Sequence, residues 1–363
     1  MAQREDEPTK NRSVWTNFVY RSKSQSTYRW VMRSVVNLTR MWILVVIAIV
    51  RRAFKRLLLG PTLPSWTWRT DLVVAAASAI ISFAATVRED PWINRFGLKA
   101  NAPIPHELKN RVRITGTHLG THRTDEYIRL GVPTDIATIL YFHGGAYVYG
   151  NPGTHREHVA RLVDATGTRA LAPVYRLAPT HPFPAGVDDA VDSYRSLIAS
   201  GVDPSDVIVA GDSAGGGLTL ALLLSLRDAG DELPKGAVLF SPYADLEHTG
   251  YTIVTNADTD YLPLSELTGP NLYYSALDEI AFPLVSPVNA DLTGLPPMLI
   301  LAGGAEMILA DSIRIKENAD RDGVDTQLII EPEMMHVWPA IVPWQPQSKA
   351  ALEHISGWIA QLD

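Results

Sequence analysis

From about residue 110 to the C-terminus, short runs of apolar residues alternate with longer stretches of helical period. The pattern predicts strands at 111–116, 127–130, 137–142, 168–174, 207–210, 237–240, 298–301 and 326–330, with a leucine-rich helix through 218–226. Most of these runs are apolar throughout, which is the mark of strands buried on both faces. Strands of that kind separated by helices predict a mostly parallel sheet with helices on both sides.

The first hundred residues are patterned differently. Residues 1–34 are polar and mixed, and read as a mobile leader, part helix near its end. Residues 41–50, MWILVVIAIV, hold no polar side chain; Arg40 precedes them and Arg51, Arg52, Lys55 and Arg56 follow. This run is about half of the roughly 20 residues a spanning helix needs. It reads either as a buried helix or as one in contact with a membrane surface over residues 41–58, its basic residues on one side. Gly60, Pro61 and Pro64 end it. A second apolar segment, 71–87, carries Ser78, Ser82 and Thr86 at a spacing of four, hence on one helical face. It predicts a helix packed on protein, followed by a linker at 101–105.

Composition changes the picture in three ways. An apolar share of 46% and a charged share of 20% describe a globular chain. The absence of cysteine excludes a disulfide scaffold, a thiol nucleophile and thiolate metal sites. The net charge of −7 argues against nucleic acid as a partner, but it is unevenly spread: residues 1–60 hold 12 Lys/Arg and 3 Asp/Glu. A basic leader on an acidic body raises the question of a membrane surface. The apolar run begins far from Met1 and no small-residue cleavage site follows, so no cleavable signal peptide is expected and the protein is expected in the cytoplasm.

Two short motifs carry chemistry. Gly211-Asp212-Ser213-Ala214-Gly215 is a G-x-S-x-G sequence between the apolar run VIVA and a leucine-rich helix. Strand, tight turn and helix in that order would raise the Ser213 hydroxyl above the sheet edge and put the Ala214 amide at a helix N-terminus. His143-Gly144-Gly145-Ala146 follows the strand ATILYF. Paired glycines there let backbone amides approach a ligand closely. No dinucleotide fingerprint, P-loop or H-E-x-x-H is present, so neither cofactor nor metal is expected.

HGGA at 143–146, YRLAP at 175–179, FPA at 183–185 and GDSAGG at 211–216 together resemble the hormone-sensitive-lipase-type branch of the α/β-hydrolases, over residues 110–363. The resemblance implies an α/β-hydrolase fold with a helical cap and a triad in the order Ser213, Glu306, His336. Asp311 is the fallback for the acid. It also implies an oxyanion hole from Gly144, Gly145, Ala146 and Ala214, with Gly144 shaping the loop. The domains would be the leader 1–34, apolar helices 35–105 forming the cap and membrane contact, and the catalytic domain 106–363 with a cap insertion at about 245–292. Trp66, Trp68, Trp92, Tyr251, Tyr261, Tyr273 and Tyr274 fall in the cap segments, and some would line the pocket.

Two positions depart from the branch. Ala146 replaces the third glycine of HGGG, and Val174 replaces the aspartate before Tyr-Arg, which leaves Arg176 to Asp188 or Asp189. The implied activity is hydrolysis of a small-molecule ester with a short acyl group and an apolar or aromatic body. Removal of an acetyl group in a fungal natural-product pathway is one form of it. Lactone hydrolysis and arylacetamide-type deacetylation are the alternatives, and a non-catalytic ligand receptor on the same scaffold is the remote one.

Overall fold

The computed structural model describes residues 12–87, 101–131, 137–263 and 274–362, with side chains from residue 32 onward. Eight strands form one sheet in the order β1-β2-β4-β3-β5-β6-β7-β8. They are β1 (Val112–Leu119), β2 (His122–Arg129), β3 (Thr138–Phe142), β4 (Arg169–Pro173), β5 (Val207–Asp212), β6 (Gly236–Phe240), β7 (Met298–Gly303) and β8 (Thr326–Glu331). β2 runs antiparallel to β1 and β4, and every other pairing is parallel.

The fully apolar runs become the centre of the sheet: every residue of β3, β5, β6 and β7 is buried. Two apolar clusters lie on the two faces, one around Leu220 and Leu239, the other around Tyr141 and Phe240. β2 begins five residues before the stretch its apolar positions predict. Its charged residues are paired sideways, Asp125 with Arg156 and Glu126 with Arg169, so a half-buried strand tolerates them.

The N-terminal region departs from expectation. One helix, α1, runs from Arg12 to Leu59 with no glycine or proline to break it, so the predicted leader is largely helical. The buried-helix reading of 41–50 fails, because Trp42, Ile43, Leu44, Val46, Ile47 and Val50 are all exposed and only Val45 of the run is fully covered. The following helix α2 (Trp68–Thr86) is only partly packed: Val74, Ala75 and Phe83 are buried and Ile80 is exposed. α1 and α2 lie against each other and are pinned by buried Asp71, which takes Arg52, Arg56 and the Thr62 hydroxyl.

The turn between these helices docks on the sheet's last loop. Trp66 Nε1 donates to the Glu333 carbonyl at 2.6 Å, and the Ser65 amide donates to Glu333 Oε2 at 2.7 Å. Arg69 lies over the Trp344 ring, and Gln345 donates to Thr70. The N-terminal hairpin is thus fastened three residues from His336.

Candidate active site

Ser213 sits at φ 54°, ψ −122°, between the end of β5 and the start of helix α3 (Ala214–Ala229). A non-glycine residue in that region is strained, and the surroundings must hold it there. The Ser213 amide donates to Phe240 O at 2.8 Å, and its carbonyl accepts from Gly216, Gly217 and Tyr243. The turn leaves no room for side chains on either side: a Cβ on Gly211 would overlap the Gly215 carbonyl, and one on Gly215 the Phe142 carbonyl. The Ala214 amide is at the first position of its helix, where no intrahelical acceptor exists, and it has no partner among the described residues.

The loop after β3 is tied to this turn by Asp212. Its Oδ1 accepts the Tyr141 hydroxyl at 2.6 Å and the Gly144 amide at 3.0 Å; its Oδ2 lies 3.3 Å from His155 Nε2. Burial works against the Asp212 charge, but His155 and these donors outweigh it and hold the carboxyl far below its usual range. Burial likewise opposes charge on His155, which Asp212 overcomes to raise its pKa. Beside them His143 is pushed down to about 3, first by burial and then by His155, so it is neutral near pH 7.

This pairing ties Gly144 into the frame of the loop. The Gly144 amide is committed to Asp212 and does not face an incoming ligand. Gly145, Ala146 and Tyr147 then all take positive φ, at 125°, 52° and 63°. The amides of Gly145 and Ala146 have no partner among the described residues. Tyr147 stacks on Tyr274 from the cap segment at 4.0 Å between centroids.

Glu306 and His336 sit on the loops after β7 and β8. Backbone bonds from Gly304 to Glu331 and from Ala305 to Met334 hold the loops together. His336 Nδ1 lies 3.4 Å from Glu306 Oε2, and both side chains are sealed from solvent. This is longer than a charge-assisted hydrogen bond, and neither carboxylate oxygen of Glu306 has a donor in bonding geometry among the described residues. Burial alone would lower the His336 pKa; Glu306, Asp260 and Asp212 overcome it and hold the imidazole above its ordinary value.

The loops of Ser213 and His336 meet at the carboxyl end of β6. Ser213 is bonded there to Phe240, while the Val337 amide donates to Ser241 Oγ at 3.0 Å. Asp311 lies elsewhere: its Oδ2 accepts the amides of Ala244 and Asp245 at 2.9 Å each, and it supports the chain leaving β6.

Three further groups were invisible to motif reading. Asp260 in the cap segment accepts the Met307 amide at 2.8 Å, the Tyr261 amide at 2.7 Å and, more loosely, the His336 amide at 3.4 Å. Asn256 donates to the carbonyls of Gly304 and Glu306, and the Thr259 hydroxyl donates to Ala305. Together they clasp the loop that carries Glu306. Burial raises the Asp260 pKa to about 6, against the opposing pull of His336. The only sequence signal was a polar cluster, NADTD, within an otherwise uninformative insertion.

Arg176 finds Asp189, which takes its Nε, its terminal nitrogen and its backbone amide; Asp188 is not the partner. Of the cap aromatics, Trp66 is a core residue and Trp68 and Tyr251 are largely exposed, whereas Tyr261 and Tyr274 are buried near the site. Trp92 and Tyr273 lie outside the described residues.

Comparison with known proteins identifies the fold and the family. The α/β hydrolase fold family matches residues 139–340. An acetyl-hydrolase of Streptomyces hygroscopicus is 42% identical over 64% of this chain and 78% of its own. An esterase of Acinetobacter venetianus is 35% identical over 62% of this chain and 75% of its own. The crystal structure of an esterase from the bacterial hormone-sensitive lipase family superposes with a TM-score of 0.70 at 32% identity, covering 90% of this chain and 98% of that one.

Proposed function

The chain belongs to the α/β hydrolase fold family, in its hormone-sensitive-lipase-type branch of ester hydrolases, and we propose that it cleaves short-acyl esters through an acyl-enzyme on Ser213. The observation that carries this reading is the strained turn at Ser213, with unclaimed amides at Gly145, Ala146 and Ala214.

In this reading Ser213 Oγ attacks the ester carbonyl while His336 takes its proton. Glu306 orients the imidazole and stabilises the imidazolium. The amides of Gly145, Ala146 and Ala214 receive the oxyanion, each donor contributing about 3 kcal/mol. His336 returns the proton to the leaving alcohol, then activates the water that releases the acid. The Asp212–Gly144 bond fixes the loop that carries the next two amides.

Acetyl is the favoured acyl group. The Streptomyces relative is named an acetyl-hydrolase, and Ala146 carries a methyl group where the branch has glycine. An O-acetylated, apolar natural product is a substrate of this kind. Rates on acetyl esters, longer acyl esters, lactones and arylacetamides test the assignment. Acetyl esters should lead; faster turnover of lactones or arylacetamides would transfer it to the corresponding alternative. The receptor reading requires binding without turnover, and the Glu306–His336 contact speaks against it.

The same proposal places the enzyme at a membrane surface through α1 and α2. Residues 32–59 and 68–86 are each long and apolar enough to cross a bilayer, and from residue 32 onward most large apolar side chains of α1 are exposed.

A further inference from the structure

Where α1 and α2 pack together they leave a groove of about 420 Å³. Arg51, Arg52 and Lys55 line it from α1, and Ser78 and Ser82 line it from α2, with alanines between them. Arg52 is shared with Asp71, whereas Arg51 and Lys55 have no acidic partner among the described residues. The groove therefore offers cations and hydroxyl donors converging on one space, which is the chemistry that holds a phosphate.

Its surroundings say where that phosphate comes from. α1 contains no aspartate or glutamate at all, so nothing on it opposes an anion. Toward its N-terminus, on the opposite face of α1, an apolar surface runs along Trp42, Ile43, Val46 and Ile47, reaching back to Val35. From Val35 to Ile47 the helix rises about 18 Å, close to one leaflet of a hydrocarbon core about 30 Å thick. The exposed apolar run up to Val50 adjoins Arg51 along the helix axis, so when it enters hydrocarbon the cationic groove stands at headgroup level, where an anionic lipid headgroup can reach Arg51 and Lys55.

We propose that the α1–α2 groove is a binding site for the headgroup of an anionic phospholipid. The inference rests on the membrane-surface reading above and adds a headgroup specificity to it. Because the hairpin is fastened through Trp66 to Glu333, it would hold the active-site end of the sheet at a fixed distance from the lipid.

The test is flotation of the full-length protein with phosphatidylcholine vesicles, with and without phosphatidylglycerol. Phosphatidylglycerol should strengthen binding, and Arg51→Gln with Lys55→Gln should remove that gain at roughly fivefold per charge. Hydrolysis of a soluble short ester should not change in this variant. Ser78→Leu with Ser82→Leu fills the groove while keeping every charge. It should abolish the preference for phosphatidylglycerol and leave adhesion to phosphatidylcholine.

Equal binding to both vesicle types would overturn the headgroup site while leaving the membrane reading intact. No binding to either would overturn both. Retained preference in the serine variant would reduce the effect to diffuse attraction and overturn the site. Binding of inorganic phosphate, lost in the charge variant, without any vesicle binding would overturn the lipid assignment in favour of a soluble anion.

Discussion

Glu306 and His336 meet 3.4 Å apart, Oε2 to Nδ1, with neither side chain open to solvent. The contact joins two adjacent parallel strands, and the carboxylate has no donor in bonding geometry among the described residues. An imidazolium formed beside it therefore finds a fixed, poorly hydrated counter-charge.

A pH prediction follows from that contact. With the His336 pKa held above 6.5, the imidazole is protonated and unable to act as a base below its pKa. The acidic limb of kcat/KM should therefore lie above pH 6.5. Glu306→Gln removes the strongest raising influence, so the limb should move to lower pH while kcat falls by on the order of 10³–10⁴. A pH–rate profile of both proteins checks this; an unmoved limb would separate Glu306 from the titration.

Asp260 should act as a positioning residue. Asp260→Asn keeps an acceptor but removes a charge that raises the His336 pKa, so its acidic limb should also shift down, with a smaller loss in kcat than Glu306→Gln. Asp260→Ala leaves the Met307 and Tyr261 amides without acceptors, at about 1–3 kcal/mol for each buried donor. Thermal unfolding of the two variants should separate them, with the alanine variant the less stable.

The loop after β3 gives a contrast between neighbours. Gly145 lies at φ 125° with the Tyr149 carbonyl where a Cβ would stand, so Gly145→Ala should cost kcat about 100-fold or more by displacing the adjacent amides. Ala146, at φ 52°, already bears the cost of a left-handed conformation. Ala146→Gly should keep activity within a few-fold and accept bulkier acyl groups. Steady-state rates on an acyl-length series measure both effects.

Asp311, which accepts two backbone amides, should bear on stability. Burial raises its pKa from 3.8 to about 8. A carboxyl raised in the fold favours folding below its unfolded pKa, and that contribution is lost as pH rises through the folded value. Asp311→Asn keeps an acceptor for the Ala244 and Asp245 amides without the charge. Its stability relative to wild type should therefore climb between about pH 4 and pH 8, as followed by denaturant unfolding across that range.

How far the sequence reached depends on where the information was local. The central strands were legible because burial on both faces demands unbroken apolar runs, as in TILYF and VIVAG. The serine turn was legible because its geometry admits only glycine at 211 and 215. β2 was underestimated because its charges are neutralised by Arg156 and Arg169, distant in the chain. Asp260 was invisible for the same reason: its value lies in reaching Met307 and His336 from an insertion. The N-terminal helix was misjudged because a polar, unperiodic stretch with no breaker still forms helix when it continues an apolar one.

The central claim is that Ser213 is an activated nucleophile. Incubation of the purified protein with a fluorophosphonate probe, followed by peptide mass spectrometry, tests it most directly. The account predicts a single adduct on Ser213, absent from Ser213→Ala and strongly slowed in His336→Ala. Labelling at another residue, or ester hydrolysis that survives Ser213→Ala at the wild-type rate, would contradict it.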